Sequence, residues 1–413
     1  MEQSKARIYY LSSMISGYNQ TGGSISFKTT GFPVINEGTF LIAKVGIGTF
    51  NNQPAGQPDY KNYFLIVDTG SDLTWTQCEN CTECFHQEEP YFPYKSSSSY
   101  QPLPCNNHPL CEHGKCSGSS CSYDIVYAND ASSSGILASE RFSLNADGAV
   151  EALDHEVIFG CGLEQKNFAQ LKREEGTEEY ITGILGIGGG PRSFLRQLRD
   201  RGQGKFEYCF QSWFTDIDST TFIRFGSDVK IGRDTQEVHT TPLFFSPRTP
   251  TLYYLDLQDI SVGNHRIGFE PGTFALKPNG KGGCCIDSGS PWTVIHRPKY
   301  DRLRAAVVQY FADLHMPAMG EGKYGFDLCF EKEAGFDNYP PITFHFERAD
   351  FVIDNKDAGF FILGDYFCLA IHGWDDDFAD ALIGSTQQIN HRILYDINEE
   401  SLSFAKEECV VGA

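Results

Sequence analysis

The sequence predicts an all-β chain folded as two similar β-rich lobes with few short helices, and three observations carry that expectation. The composition favours strands and turns: aromatics make up 14%, with 32 Phe and 20 Tyr beside 41 Gly and 19 Pro, while Met numbers only 4. Short apolar runs bounded by Gly, Asn, Asp and Ser recur along most of the chain. A block of sequence also occurs twice, which suits two lobes within 413 residues. The formal charge of −21 opposes binding to nucleic acid or anionic lipid. No apolar run approaches the roughly 20 residues of a membrane span, so membrane insertion is not expected.

Residues 1–37 are polar and Gly/Ser-bearing and read as a leader or pro-segment remnant. The opening Met1–Arg7 and the short Ile8–Leu11 do not read as a signal-peptide core. Strands begin with Phe40–Gly46 and Tyr63–Val67, joined by the turn-rich Asn51–Pro58. The clearest helix is expected at about 298–315. There Tyr300, Leu303, Val307, Tyr310, Phe311 and Leu314 form one apolar stripe behind Pro298, a stripe read as core packing.

The duplicated block is Ile66-Val67-Asp68-Thr69-Gly70-Ser71, echoed by Cys285-Ile286-Asp287-Ser288-Gly289-Ser290. Each copy has a distant apolar-apolar-Gly partner, Ile184-Leu185-Gly186 and Leu382-Ile383-Gly384. One Asp-Thr-Gly reads as a turn, in which Asp accepts backbone N–H bonds and Gly supplies conformational freedom. A turn alone gives no reason for the same chemistry at the end of two apolar strands. The functional reading is a pair of carboxylates, Asp68 and Asp287, that share one proton, activate water and polarise an amide carbonyl without metal or cofactor. The small Thr69, Gly70, Ser288 and Gly289, with the hydroxyls of Ser71 and Ser290, support those loops. The expected lobes are 38–235, carrying Asp68, and 236–413, carrying Asp287.

Of the 14 cysteines, Cys78, Cys81, Cys84, Cys105, Cys111, Cys116 and Cys121 are closely grouped. Cys78-x2-Cys81 and Cys81-x2-Cys84 have zinc-ligand spacing, but no second separated pair completes a site, and disulfides in an oxidising compartment account better for the group. Asn19-Gln20-Thr21 and Asn80-Cys81-Thr82 are N-glycosylation sequons, the second in an unfavourable cysteine context, and both are weak signals.

The run Asp68–Cys78 followed by Cys81 and Cys84-Phe85 resembles the first active-site block of plant nepenthesin-type aspartic proteinases, within the pepsin-like family. The resemblance extends over about residues 39–409, through Phe159-Gly160-Cys161-Gly162, Gly183–Gly186 and the tail from Gln387-Gln388-Ile389-Asn390 to Cys409. It implies a pepsin-like acid protease fold: two β-rich lobes with an active-site cleft between them, roofed by a β-hairpin flap. Tyr127 occupies the flap-tyrosine position, and Trp75 looks like the residue whose indole bonds it. The resemblance further implies pairings Cys78–Cys81, Cys84–Cys161, Cys105–Cys121, Cys111–Cys116, Cys209–Cys409 and Cys329–Cys368, with Cys284 and Cys285 left as small strand hydrophobes.

The implied function is an aspartic endopeptidase acting on polypeptides at acidic pH, as a monomer, in the secretory pathway or outside the cell. The alternative is a non-catalytic binding protein, because the same plant fold includes xylanase inhibitors. Two departures bear on that choice. The usual Tyr-Gly-Asp-Gly-Ser flap is Tyr127-Ala128-Asn129-Asp130-Ala131, and the Gly-Thr-Pro-Pro turn is Gly48-Thr49-Phe50 with a longer loop. Asp130 has two readings: a charge over the dyad that extends activity towards neutral pH, or a solvent-facing turn former.

Overall fold

Strand-forming runs separated by turn residues give a β-rich chain in the computed structural model, which describes residues 30–37, 40–51, 53–54, 56–146, 149–153, 156–168, 180–198, 201–211, 221–227, 229–232, 236–319 and 325–409. The chain divides into two compact units. One is built on Leu41–Phe206 with Ile217–Val229 and the segment up to Ile35; the other is built on Lys230–Ala413 with Asn36–Phe40 and Glu207–Asp216. Most of the expected leader, together with the Asn19 sequon, lies outside the described residues. The last part of that segment, Thr30–Glu37, is a strand antiparallel to Thr221–Phe225, with Phe32 opposite Ile223.

In the first unit, Phe40–Ile47 runs antiparallel to Lys61–Asp68, which runs parallel to Ile181–Gly186 with Asp68 opposite Gly186. Trp75–Gln77 is antiparallel to Ile181–Gly186 and parallel to Val157–Lys166. The latter pairs with Ser132–Glu140, itself the second strand of a hairpin begun by Ser120–Val126. Lys61–Asp68 is buried along its last six residues, as a strand paired on both sides requires. Aromatic edges fill the core beneath it, among them Phe92 against Tyr63 and Phe142 against Phe159.

The second unit repeats this connectivity with different residues. Cys284–Ile286 is parallel to Ala381–Ile383, while Thr293–His296 is antiparallel to Ala381–Ile383 and parallel to Ile371–Trp374. Cys284–Ile286 also pairs with Thr249–Leu255. The helix runs Arg297–Asp313 with Pro298 in its first turn and buries Tyr300, Leu303, Val307 and Phe311. Leu314 departs from the expected stripe: it lies beyond the helix end and is 37% exposed, because the chain turns there and carries it off the apolar face. Phe311 packs on Phe330, Phe360 and Phe367, joining the helix to a small three-stranded sheet.

The structure forms Cys209–Cys409 and Cys329–Cys368 and leaves Cys284 and Cys285 as buried free thiols. The other four pairings differ from those the resemblance implied. Cys78 joins Cys161 and Cys81 joins Cys84, in place of Cys78–Cys81 and Cys84–Cys161. Strand register is the reason. Thr76 lies opposite Cys161, and the Cys78 amide donates to the Gly162 carbonyl at 2.9 Å, so Cys78 and Cys161 face each other with Cα atoms 5.5 Å apart. Cys81 and Cys84 then close one local turn. Likewise Cys105–Cys116 and Cys111–Cys121 replace Cys105–Cys121 and Cys111–Cys116. Cys116 and Cys121 sit opposite each other in a short hairpin, and the loop around them decides which incoming cysteine each meets.

Candidate active site

Both duplicated loops fold the same way, because each closes a strand and then turns back under its own apolar-apolar-Gly partner. Gly70 N donates to Asp68 Oδ1 at 2.8 Å, and the Ser71 hydroxyl donates to Asp68 Oδ2. Gly289 N donates to Asp287 Oδ1 at 2.8 Å, and the Ser290 hydroxyl donates to Asp287 Oδ2 at 2.7 Å. Each carboxyl therefore has one oxygen fixed by a backbone amide and the other by a hydroxyl. Asp68 is 6% exposed and Asp287 8%: buried enough to be held, yet open to a small molecule. Thr69 and Ser288 are buried beneath the loops.

The two Gly partners have a steric cause. A side chain on Gly186 would meet the backbone of Asp72 and Leu73, and one on Gly384 would meet that of Trp292 and Ser290. Each glycine lets its strand approach the turn following the Asp. Ile187 N donates to the Asp68 carbonyl at 2.9 Å, and Asp287 N donates to the Ile383 carbonyl at 3.0 Å.

In the first unit the site extends to the hairpin Ser120–Val126/Ser132–Glu140. Its tip is closed by Tyr127 N donating to the Ala131 carbonyl at 2.8 Å and Asp130 N donating to the Tyr127 carbonyl at 3.0 Å. Trp75 Nε1 donates to the Tyr127 hydroxyl at 2.6 Å, with Ser71 beside that hydroxyl. Trp75 has only a donor to give. The indole therefore meets Tyr127 as an acceptor, while the Ser71 hydroxyl proton is committed to Asp68. Enclosure, and after it the charge of Asp68, hold the Tyr127 hydroxyl well above its usual range, so it stays a neutral donor. Phe168 packs on both Trp75 and Tyr127. Asp130 sits exposed at φ 62°, a left-handed turn position open to Asp, with its carbonyl accepting from Asn167. That geometry matches the turn-forming reading.

Several supporting residues escaped the sequence reading. Thr182 both donates to the Phe64 carbonyl and accepts from its amide at 3.0 Å, locking Ile181–Gly186 to the Asp68 strand. In the second unit, Gln387 Oε1 accepts from Thr293 N at 3.0 Å. Gln388 Nε2 donates to the carbonyls of Ile383 at 3.0 Å and Asp287 at 3.3 Å, and its Oε1 accepts from the Tyr208 hydroxyl at 2.6 Å. The signal available was the polar run Ser385-Thr386-Gln387-Gln388 directly behind Leu382-Ile383-Gly384. Burial pushes the Cys284 and Cys285 thiols upward, which keeps them protonated and unreactive. Among the described residues no group of His, Cys, Asp and Glu is arranged to hold a metal ion.

Known families and proteins resemble this chain over most of its length. The family described as Xylanase inhibitor N-terminal matches residues 53–227, and Xylanase inhibitor C-terminal matches 252–406. Aspartic proteinase nepenthesin-2 of Nepenthes gracilis is 31% identical over 365 residues, covering 87% of this chain and 77% of the relative. Aspartic proteinase nepenthesin-1 of the same plant is 30% identical over 419 residues, covering 99% and 85%. Among solved structures, edgp matches with a TM-score of 0.71 at 17% identity, covering 94% of this chain and 96% of that one. Basic 7S globulin from soybean matches with a TM-score of 0.67, also at 17% identity, covering 93% and 98%. The two β-rich units with their repeated Asp loops thus have the pepsin-like fold, and the chain belongs to the plant nepenthesin-type branch of the pepsin-like aspartic proteinases.

Proposed function

We propose that this protein is an aspartic endopeptidase that hydrolyses polypeptides at acidic pH. The observation that supports it is the twofold occurrence of one loop geometry, in which Asp68 and Asp287 are each held by a Gly amide and a Ser hydroxyl. In this reading the lobes 38–235 and 236–413 each bring one carboxyl to a common cleft, and the two hold one proton between them. The ionised member takes a proton from a water while the water oxygen bonds to the scissile carbonyl carbon. The protonated member gives its proton to the carbonyl oxygen. Collapse of the resulting diol breaks the C–N bond as the leaving nitrogen takes up a proton. Tyr127, on the flap, faces the substrate.

The twelve disulfide-bonded cysteines support a secretory or extracellular location. No described helix is long and apolar enough to cross a membrane. We take the working form to be a monomer with polypeptides as its partners. The test is a pH series of peptide hydrolysis with and without a statine-type inhibitor. Acid-favoured cleavage blocked by that inhibitor supports the reading, and cleavage indifferent to it sinks the reading. One observation favours a second, binding-only reading: the flap tip lacks both family glycines and holds Asp130 in a left-handed turn. On that reading the folded protein cleaves nothing at any pH and binds a glycosidase instead.

A further inference from the structure

We propose that Asn80 carries an N-linked glycan. The sequon Asn80-Cys81-Thr82 stands in the turn between Trp75–Gln77 and the Cys81–Cys84 bridge, and the Asn80 side chain is exposed. Its backbone is at φ 64°, which turns the residue out of the preceding strand. A left-handed turn alone would account for Asn at 80 but gives no reason for Thr at 82. Thr82 does bond the Leu163 carbonyl, through its amide at 2.7 Å and its hydroxyl at 3.2 Å. The amide makes the shorter bond and any residue supplies it, so the hydroxyl is not required for the turn. Asn and Thr together at this spacing are required by an oligosaccharyl acceptor.

The reaction is a group transfer. Asn80 Nδ2 bonds to the anomeric carbon of an oligosaccharide carried on a lipid pyrophosphate. The anomeric C–O bond to pyrophosphate breaks, the lipid pyrophosphate leaves, and the amide nitrogen gives up one proton. The donor belongs to the secretory route, so the proposal rests on the disulfide-based location above and not on peptidase activity. Cys81 occupies the middle of the sequon, and its bridge to Cys84 closes over a sequence separation of only 3. Oxidation of that small ring therefore competes with transfer, and removing the ring should raise occupancy.

The experiment expresses the full chain behind a secretion signal in plant cells and maps the secreted protein after enzymatic deglycosylation in heavy-oxygen water. Conversion of Asn80 to labelled Asp is expected. The Cys81→Ser/Cys84→Ser double variant should show higher occupancy, and Thr82→Ser should keep the modification. Asn80→Gly, which retains the left-handed turn, should lose one glycan without losing secretion. A secreted, disulfide-bonded protein with Asn80 unlabelled overturns the proposal, whether or not Asn19 is modified. A free-thiol count on the same sample shows separately whether the secretory reading stands.

Discussion

The two Asp loops share a skeleton and differ in what braces it. Asp68 is held by the Ser71 hydroxyl, beside the Tyr127 hydroxyl that the Trp75 indole fixes at the hairpin tip. Asp287 is braced from beneath, by Gln388 on its own carbonyl and by Tyr208 and Tyr395 behind that glutamine. The first brace hangs on a hairpin tip and the second on buried side chains. What is common to both loops is what the carboxylates need. What differs is the support behind each loop: a hairpin tip on the first side and buried glutamine and tyrosine side chains on the second.

The largest effect should treat the loops as equals. Asp68→Asn and Asp287→Asn are each expected to lower kcat by on the order of 10³-fold or more with circular dichroism unchanged. A folded single variant with near-wild-type turnover would break the equivalence. Gly186→Ala and Gly384→Ala should also match each other, since a methyl at either place meets backbone behind the Asp turn. Each should cost roughly 1–3 kcal/mol or more in denaturant melts of its own unit. A silent substitution at one of them would show that its loop does not depend on that close approach.

Stability against pH should separate the units in sign. Glu140, at the end of the second hairpin strand, is fully buried and accepts from Ser99 and from Arg141 N at 2.7 Å. Burial outweighs those bonds and raises its pKa from 4.5. Its contribution is fully present below the unfolded value near 4.5 and is lost as pH rises through the raised folded value. Glu140→Gln should therefore remove part of the loss of first-unit stability towards neutral pH. His391 in the second unit is buried and lowered from 6.5 to about 4, so protons destabilise that unit as pH falls from 6.5 through 4. At 1.36 kcal/mol per pKa unit this comes to roughly 3 kcal/mol, which His391→Gln should largely abolish. Thermal melts from pH 3 to 7 measure both; parallel slopes in the two units would contradict the contrast.

Tyr127→Phe acts on the first side alone. It removes the hydroxyl between Trp75 and Ser71 and should lower kcat/KM about tenfold, the worth of one enclosed hydrogen bond of about 1.4 kcal/mol. An unchanged kcat/KM would leave the tyrosine as packing only. The smallest effect belongs to Asp130→Gly. It relieves a left-handed residue and should stabilise by no more than about 1 kcal/mol, leaving the upper limb of the pH–rate profile in place. A limb lowered by several tenths of a unit would restore the electrostatic reading of that carboxylate.

The sequence by itself determined the repeated carboxylate loops, their glycine partners, the Trp75–Tyr127 pairing and the all-β class. The loops, their glycine partners and the class depend on residue types at fixed local spacing or on a duplication that can be read directly, whereas the Trp75–Tyr127 pairing came from the family resemblance. Tertiary structure decided the rest. Which cysteine meets Cys78 follows from the parallel register of Trp75–Gln77 on Val157–Lys166, and nothing in the spacing Cys78-x2-Cys81 encodes that register. Leu314 has the right helical spacing but falls past the point where the chain turns away. Gln388, Glu140 and His391 read as ordinary polar residues until the fold buries them. Only then do a missing water shell and particular partners turn them into a brace and two opposed pH-sensitive groups.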